Sequence, residues 1–221
     1  MKKIYILSIP LALALMTGCA ASTSVNSSSA AGTMESTAVL EENSYETVTS
    51  LMSSQITTRV FTSQSISDDD EKKILTSAFY GAASGGQQAR EIIAVDDRSI
   101  MKQIQAVHSW AQSLDTAPLV IVIAGNQGKS VYPENLVQDT SIAAQNIVLT
   151  ASSLGISTNI MSIYPQKKRV AGIQSVLHLP SSVVPYIMVS MGYAQEDTSS
   201  SSSAEKDDID AMIHFNTWGE N

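Results

Sequence analysis

From residue 43 onward, apolar positions follow two rhythms, one of helices and one of strands. Tyr45, Val48, Leu51 and Met52 recur at helical spacing behind Asn43, and Glu46 stands three residues after Asn43, so a capped helix is predicted there. Residues 55–61 read as extended. Ser67, followed by Asp68, Asp69, Asp70 and Glu71, predicts a second helix start with acids at the positive end of the dipole. Ile74, Leu75, Ala78 and Phe79 give that helix a buried face, and Gly81 can stop it. Residues 92–95 predict a short strand. Ser99 then caps a helix on which Ile100, Ile104, Val107, Ala111 and Leu114 share one side. Residues 118–124 are apolar throughout, as in a strand covered on both faces.

The second half continues the alternation. Residues 134–154 predict a long helix closed by Gly155, with a small apolar middle that makes it the most buried helix. A strand at 158–164 follows, then a helix opened by Pro165 with Val170, Ile173, Val176 and Leu177 inward. Residues 183–193 predict a strand in which Pro185 marks a start or an edge. The serine run at 198–204 reads as a loose loop, and 208–218 as a final short packed element.

The first 42 residues follow neither rhythm. Lys2 and Lys3 precede a short apolar stretch at 4–16 that has the layout of an export signal and is short for a bilayer. It ends in Leu15-Met16-Thr17-Gly18-Cys19, which resembles a bacterial lipobox, so Cys19 is the expected lipidation site. The expected divisions are a signal peptide at 1–18, a Ser/Ala/Thr-rich linker at 19–42 and one folded domain at 43–221. The expected location is the extracytoplasmic face of the cell membrane, held by lipid.

Composition narrows the chemistry. The 221 residues carry a formal charge of −8, which becomes −10 once Lys2 and Lys3 leave with the signal peptide. No basic stripe is available for nucleic acid. Cys19 is the sole cysteine, so an intramolecular disulfide and a cysteine-based metal site are excluded. His108, His178 and His214 lack ligand spacing, so no metal site is expected, and surface or capping roles suit them. No Ser–His–Asp order stands out, and no catalytic side chain is assigned. Gly125-Asn126-Gln127-Gly128-Lys129-Ser130 resembles only the end of a phosphate loop, since Ile123 stands where the first glycine belongs. Residues 80–95, YGAASGGQQAREIIAV, place a small-residue loop before a strand, where backbone N–H groups can approach a ligand.

Three segments together resemble the nitroreductase family of FMN-dependent oxidoreductases. A family segment like R-x-S-x-R-x-F has its counterpart in Gln55-Ile56-Thr57-Thr58-Arg59-Val60-Phe61, with Gln55 for the leading arginine. One like P-S-S-x-N-x-Q-P-W corresponds to Ala82-Ala83-Ser84-Gly85-Gly86-Gln87-Gln88-Ala89-Arg90. The third runs through Ala144-Gln145-Asn146, Leu154-Gly155-Ile156, Ile160-Met161-Ser162-Ile163-Tyr164-Pro165, Leu177-His178-Leu179-Pro180 and Met191-Gly192-Tyr193.

The resemblance implies an α+β fold with a central, mostly antiparallel sheet flanked by helices. It also implies a homodimer, FMN as cofactor, and two-electron transfer from NAD(P)H or another reductant to a small acceptor such as a nitroaromatic or quinone. Carried over residue by residue, it assigns FMN to Thr57, Arg59, Ser84, Gly85, Gly86, Gln88, Ile160, Met161, Ser162 and Lys206. Arg90 is expected to be a solvated charge at the strand start. The competing expectation is a binding lipoprotein that keeps the fold without the flavin.

Overall fold

The computed structural model describes residues 44–195, 199–201 and 212–218. The described residues belong to one compact unit, Asn43–Asn221. The expected signal peptide, linker, Cys19 and Lys206 lie outside the described residues.

Six strands form one sheet in the order β2-β3-β5-β4-β1-β6: β1 (Ile56–Thr58), β2 (Arg90–Val95), β3 (Leu119–Asn126), β4 (Ser157–Ser162), β5 (Val183–Gly192) and β6 (Ser199–Ser201). Among the described residues only β1 and β4 pair in parallel; the other pairings are antiparallel. The helices are α1 (44–53), α2 (Asp68–Ser77), α3 (Arg98–Val107), α4 (Leu136–Ser153) and α5 (Lys167–Val176). The α+β architecture with a mostly antiparallel sheet is the one the sequence predicts.

The alternation of β3 sorts its side chains between two cores. Leu119, Ile121 and Ile123 meet Ile74 and Ala78 of α2 and Ala143, Ile147 and Ala151 of α4. Val120 and Val122 meet Met101 and Ile104 of α3 and Ile173 of α5 on the opposite face. A strand buried on both sides has no solvent face to keep polar, which explains the unbroken apolar run. Gly172 of α5 lies so close to α3 that an added Cβ would stand 2.7 Å from Val107 Cβ.

Local chemistry explains most element ends. Ser67 caps α2 as predicted, its hydroxyl accepting from Asp70 N–H at 3.2 Å. The cap of α3 is Asp97, not Ser99, because the Asp97 carboxylate reaches the N–H groups of both Ser99 and Ile100. That helix also stops at Val107, so Ala111 and Leu114 belong to the loop and the 3-10 turn that follow it. Pro185 sits in a central strand, contrary to the edge placement. A register shift opposite Ile123 and Ala124 falls next to it, and bulges of this kind are where a sheet interior tolerates proline. Ser199–Ser201, expected as loose loop, pair with β1 as the sheet's last strand. Residues 212–218 form no packed element; Met212, Phe215 and Trp218 are exposed. Phe79, expected inside, is also exposed.

Candidate functional site

One strand is shorter than its neighbour, and this creates the site. Among the described residues β1 meets β4 only at Thr57 opposite Thr158, so β4 runs on past it with an edge that no described strand covers. The peptide N–H of Ile163 bonds to Tyr186 on the β5 side, so alternation turns the peptide groups of Ile160 and Ser162 outward, to the open edge. A groove of about 550 Å³ lies along that edge. It is lined by Arg59, by Asn159, Ile160, Met161 and Ser162 of β4, and by His108, Trp110, Gln112 and Arg169.

Each wall has a distinct support. Asn159 donates to Ser113 Oγ at 3.1 Å, and that oxygen lies 2.8 Å from Ser190 Oγ, so a buried polar network fixes the groove floor. His108 caps the end of α3 and is buried, only 2% exposed. Its Nε2 donates to the Ser162 carbonyl at 3.0 Å, and Nδ1 has no partner among the described residues. Arg169 Nη1 donates to the same carbonyl at 3.3 Å. Trp110 stands at the groove rim, 68% exposed. No lining residue is a carboxylate. In an acidic chain this groove is a local reversal of charge, favourable to an anion.

The glycine-rich loop builds a second cluster elsewhere. Ser84–Gly86 form a 3-10 turn in which Gly85 and Gly86 take positive φ, at 65° and 68°. Ser84 donates to the Asp139 carboxylate from its N–H and its hydroxyl, each at 3.0 Å to Oδ1. Arg90 donates to Gln88 Oε1. Arg90 is 2% and Asp139 4% exposed, so the expected solvated arginine is a buried one. It starts β2 on the face that packs against α4, and the sheet covers its other side. Burial pushes its guanidinium pKa down, and the Asp139 charge pushes it back up. Its Nε and Nη1 have no partner among the described residues.

The predicted residues therefore fall in two places. Arg59, Ile160, Met161 and Ser162 line the groove, and Thr57 sits in the strand that ends beside it. Ser84, Gly85, Gly86 and Gln88 gather at β2, with β3 and β5 between them and β4. Gln55, in the leading arginine's place, spends its amide on Met52 O at 3.1 Å. His108, Trp110, Gln112 and Arg169 carried no sequence signal for this site. His108 was expected only in a surface or capping role, and Trp110 and Arg169 belong to no motif.

Other chemistries find less support. Lys129 Nζ is paired with Glu91 at 2.6 Å, and residues 126–129 form a turn instead of leading into a helix as a phosphate loop does. Burial opposes the Glu91 charge, but its bonds to Lys129 and Asn126 outweigh that and hold its carboxyl below the ordinary value. Among the described residues no three His, Cys, Asp or Glu side chains gather as metal ligands. Among them, too, no helix is long and apolar enough to cross a membrane.

Comparison with known proteins agrees with this geometry. Residues 101–193 match the nitroreductase family. A protein of Archaeoglobus fulgidus, provisionally named NADH dehydrogenase/NAD(P)H nitroreductase, is 30% identical over 159 residues, covering 72% of this chain and 87% of the relative. Among solved structures, one provisionally described as an NADH oxidase from Clostridium acetobutylicum superposes with a TM-score of 0.70 at 26% identity, covering 76% of this chain and 99% of that one. An FMN-dependent nitroreductase from Clostridium difficile R20291 gives 0.66 at 25% identity, covering 76% and 98%. The family match takes in β4, α5 and most of α3, and with the relative of Archaeoglobus fulgidus it shows that the chain belongs to the nitroreductase family of oxidoreductases.

Proposed function

We propose that the chain is an FMN-dependent oxidoreductase that holds its flavin along the open edge of β4. The observation that carries this is the acid-free groove, in which Arg59 and Arg169 face the strand carrying Ile160 and Ser162. The donor set fits FMN. Arginine meets a phosphate or an electron-rich ring edge with a planar fork. The outward peptide N–H groups of β4 can donate to a heterocycle, and Ile160 and Trp110 offer apolar surface to a ring. When bound, FMN supplies the redox chemistry, storing two electrons taken from one small molecule and passed to another. The chain's own task is to bind, orient and exclude water.

The acceptor class is a nitroaromatic, quinone or similar small molecule, and the reductant is NAD(P)H or a donor available outside the cytosol. Lipidated Cys19 tethers the protein to the extracytoplasmic face of the cell membrane, 19–42 serve as spacer and 43–221 as the redox domain. A homodimer is part of the proposal. The exposed apolar side chains Val137 and Ile142 on α4, with Tyr80 and Tyr132 beside them, support a partner that covers them. A second copy could also bring its Ser84–Gly86 loop to a groove that this chain's own loop does not line.

The visible spectrum of the purified protein tests the proposal. A yellow protein, or a colourless one that takes up added FMN, is expected. A protein that stays colourless with FMN present overturns it in favour of a binding lipoprotein on the same fold.

A further inference from the structure

The groove holds a contradiction that a ligand would resolve. Helix α5 begins with Lys167, Lys168 and Arg169, has no acid in its first turn, and has no side-chain cap from Gln166. Three cations at the positive end of a helix dipole repel it and one another, an arrangement that favours a nearby anion. His108 lines the same groove, and among the described residues its buried Nδ1 has no partner, whereas buried polar atoms are normally paired.

We propose that Arg169 is the second cation of the groove, holding the Ser162 carbonyl in the free protein and lending its charge to a planar, ring-bearing anion laid along the β4 edge. This rests on the placement of FMN given above. Ser162 O is held twice, by His108 at 3.0 Å and by Arg169 at 3.3 Å. The arginine bond is the longer and weaker of the two. Arg169 can therefore turn to a ligand while His108 keeps the carbonyl satisfied. It supplies the positive charge that Gln55 lacks, from a different element of the fold.

Fluorescence titration of the full chain with FMN and with riboflavin, the same ring without phosphate, tests this. The parent is expected to bind FMN more tightly than riboflavin. Arg169→Gln should weaken FMN binding by about 10- to 100-fold, the loss of one charge-assisted bond, and leave riboflavin unchanged. Arg169→Lys should recover part of that loss, keeping the charge without the fork. If Arg169→Gln weakens both ligands equally, or neither, the residue only braces the strand and the inference falls. If the parent binds neither flavin, the cofactor proposal fails by itself. The same variants are then read with adenosine monophosphate, another ring-bearing anion, through Trp110 emission in a Trp218→Phe background. A parental response lost in Arg169→Gln upholds the inference, and no parental response overturns it.

Discussion

Ser84 meets Asp139 twice, through its peptide N–H and its hydroxyl, across 55 residues of sequence. The contact fastens the glycine-rich loop to the middle of the fold, and it places a carboxylate beside the buried Arg90.

Removing that carboxylate should therefore cost more than one hydrogen bond. Asp139→Asn leaves the Arg90 charge buried without its neighbour, and buried groups stripped of compensation cost about 1–3 kcal/mol, more when charged. A lower urea midpoint with an unchanged slope is expected. Adding Arg90→Met should recover stability, giving a positive coupling in the double-mutant cycle. Additive losses would show that the two charges do not interact.

Arg59→Gln should reduce the flavin content of the purified protein and weaken FMN rebinding about tenfold or more, as loss of a charge-assisted bond does. Full retention would place the flavin's anionic group away from β1.

Glu71 should make stability depend on pH. Burial raises its carboxyl above the ordinary 4.5, helped by the negative charges of Asp96 and Asp68. The folded state thus binds the proton more tightly than the unfolded one, and this group's contribution is lost as pH rises from 4.5 through the raised value. Glu71→Gln should melt higher than the parent at pH 7, with the gap closing as pH falls below 4.5. A constant gap would point to a cause other than ionisation.

Gly172→Ala sets two effects against each other. Alanine in place of a helical glycine favours α5 by about 1 kcal/mol. The new methyl would meet Val107 Cβ at 2.7 Å, and overpacking costs about 1–3 kcal/mol. Val107 is β-branched and stiff, so the clash should win and the melting temperature fall. Pairing the change with Val107→Ala should reverse the sign.

Cys19→Ser should move the protein from the detergent phase to the aqueous phase in cell fractionation, and abolish labelling by a fatty-acid analogue. Retention in the detergent phase would assign membrane attachment to another segment.

The layers of the fold were legible because they rest on patterns that physics repeats. A two-sided apolar strand, a serine ahead of three aspartates and a small-residue buried helix each have one economical solution. Ser99 and Asp97 are both good caps, and only the helix's actual entry point separates them. Pro185 reads as an edge signal until a bulge in the sheet gives it a central seat. The pairing of Ser199–Ser201 with β1 had no pattern to betray it, since serine carries no hydrophobic alternation.

The candidate site was half legible for a related reason. Arg59, Ile160, Met161 and Ser162 lie on or beside the strands that make the groove, so local motifs reach them. His108 and Arg169 arrive from α3 and α5, and meet only because both cores press those helices toward one end of β4. No spacing within either helix encodes the other. The small-residue loop that first drew attention is a separate cluster, organised by Asp139, a residue with no motif of its own.

An uncovered strand edge carries a second cost. Exposed β edges recruit strands from other molecules, and proteins commonly guard them with charge. Arg59 and Arg169 stand where such a guard is needed. Their neutralisation would remove more than a ligand's counter-charge: it would leave the outward peptide groups of Ile160 and Ser162 as a template for misassembly. Solubility and cofactor capture would then depend on the same two side chains, so a variant that loses its flavin at this edge should also be more prone to aggregate.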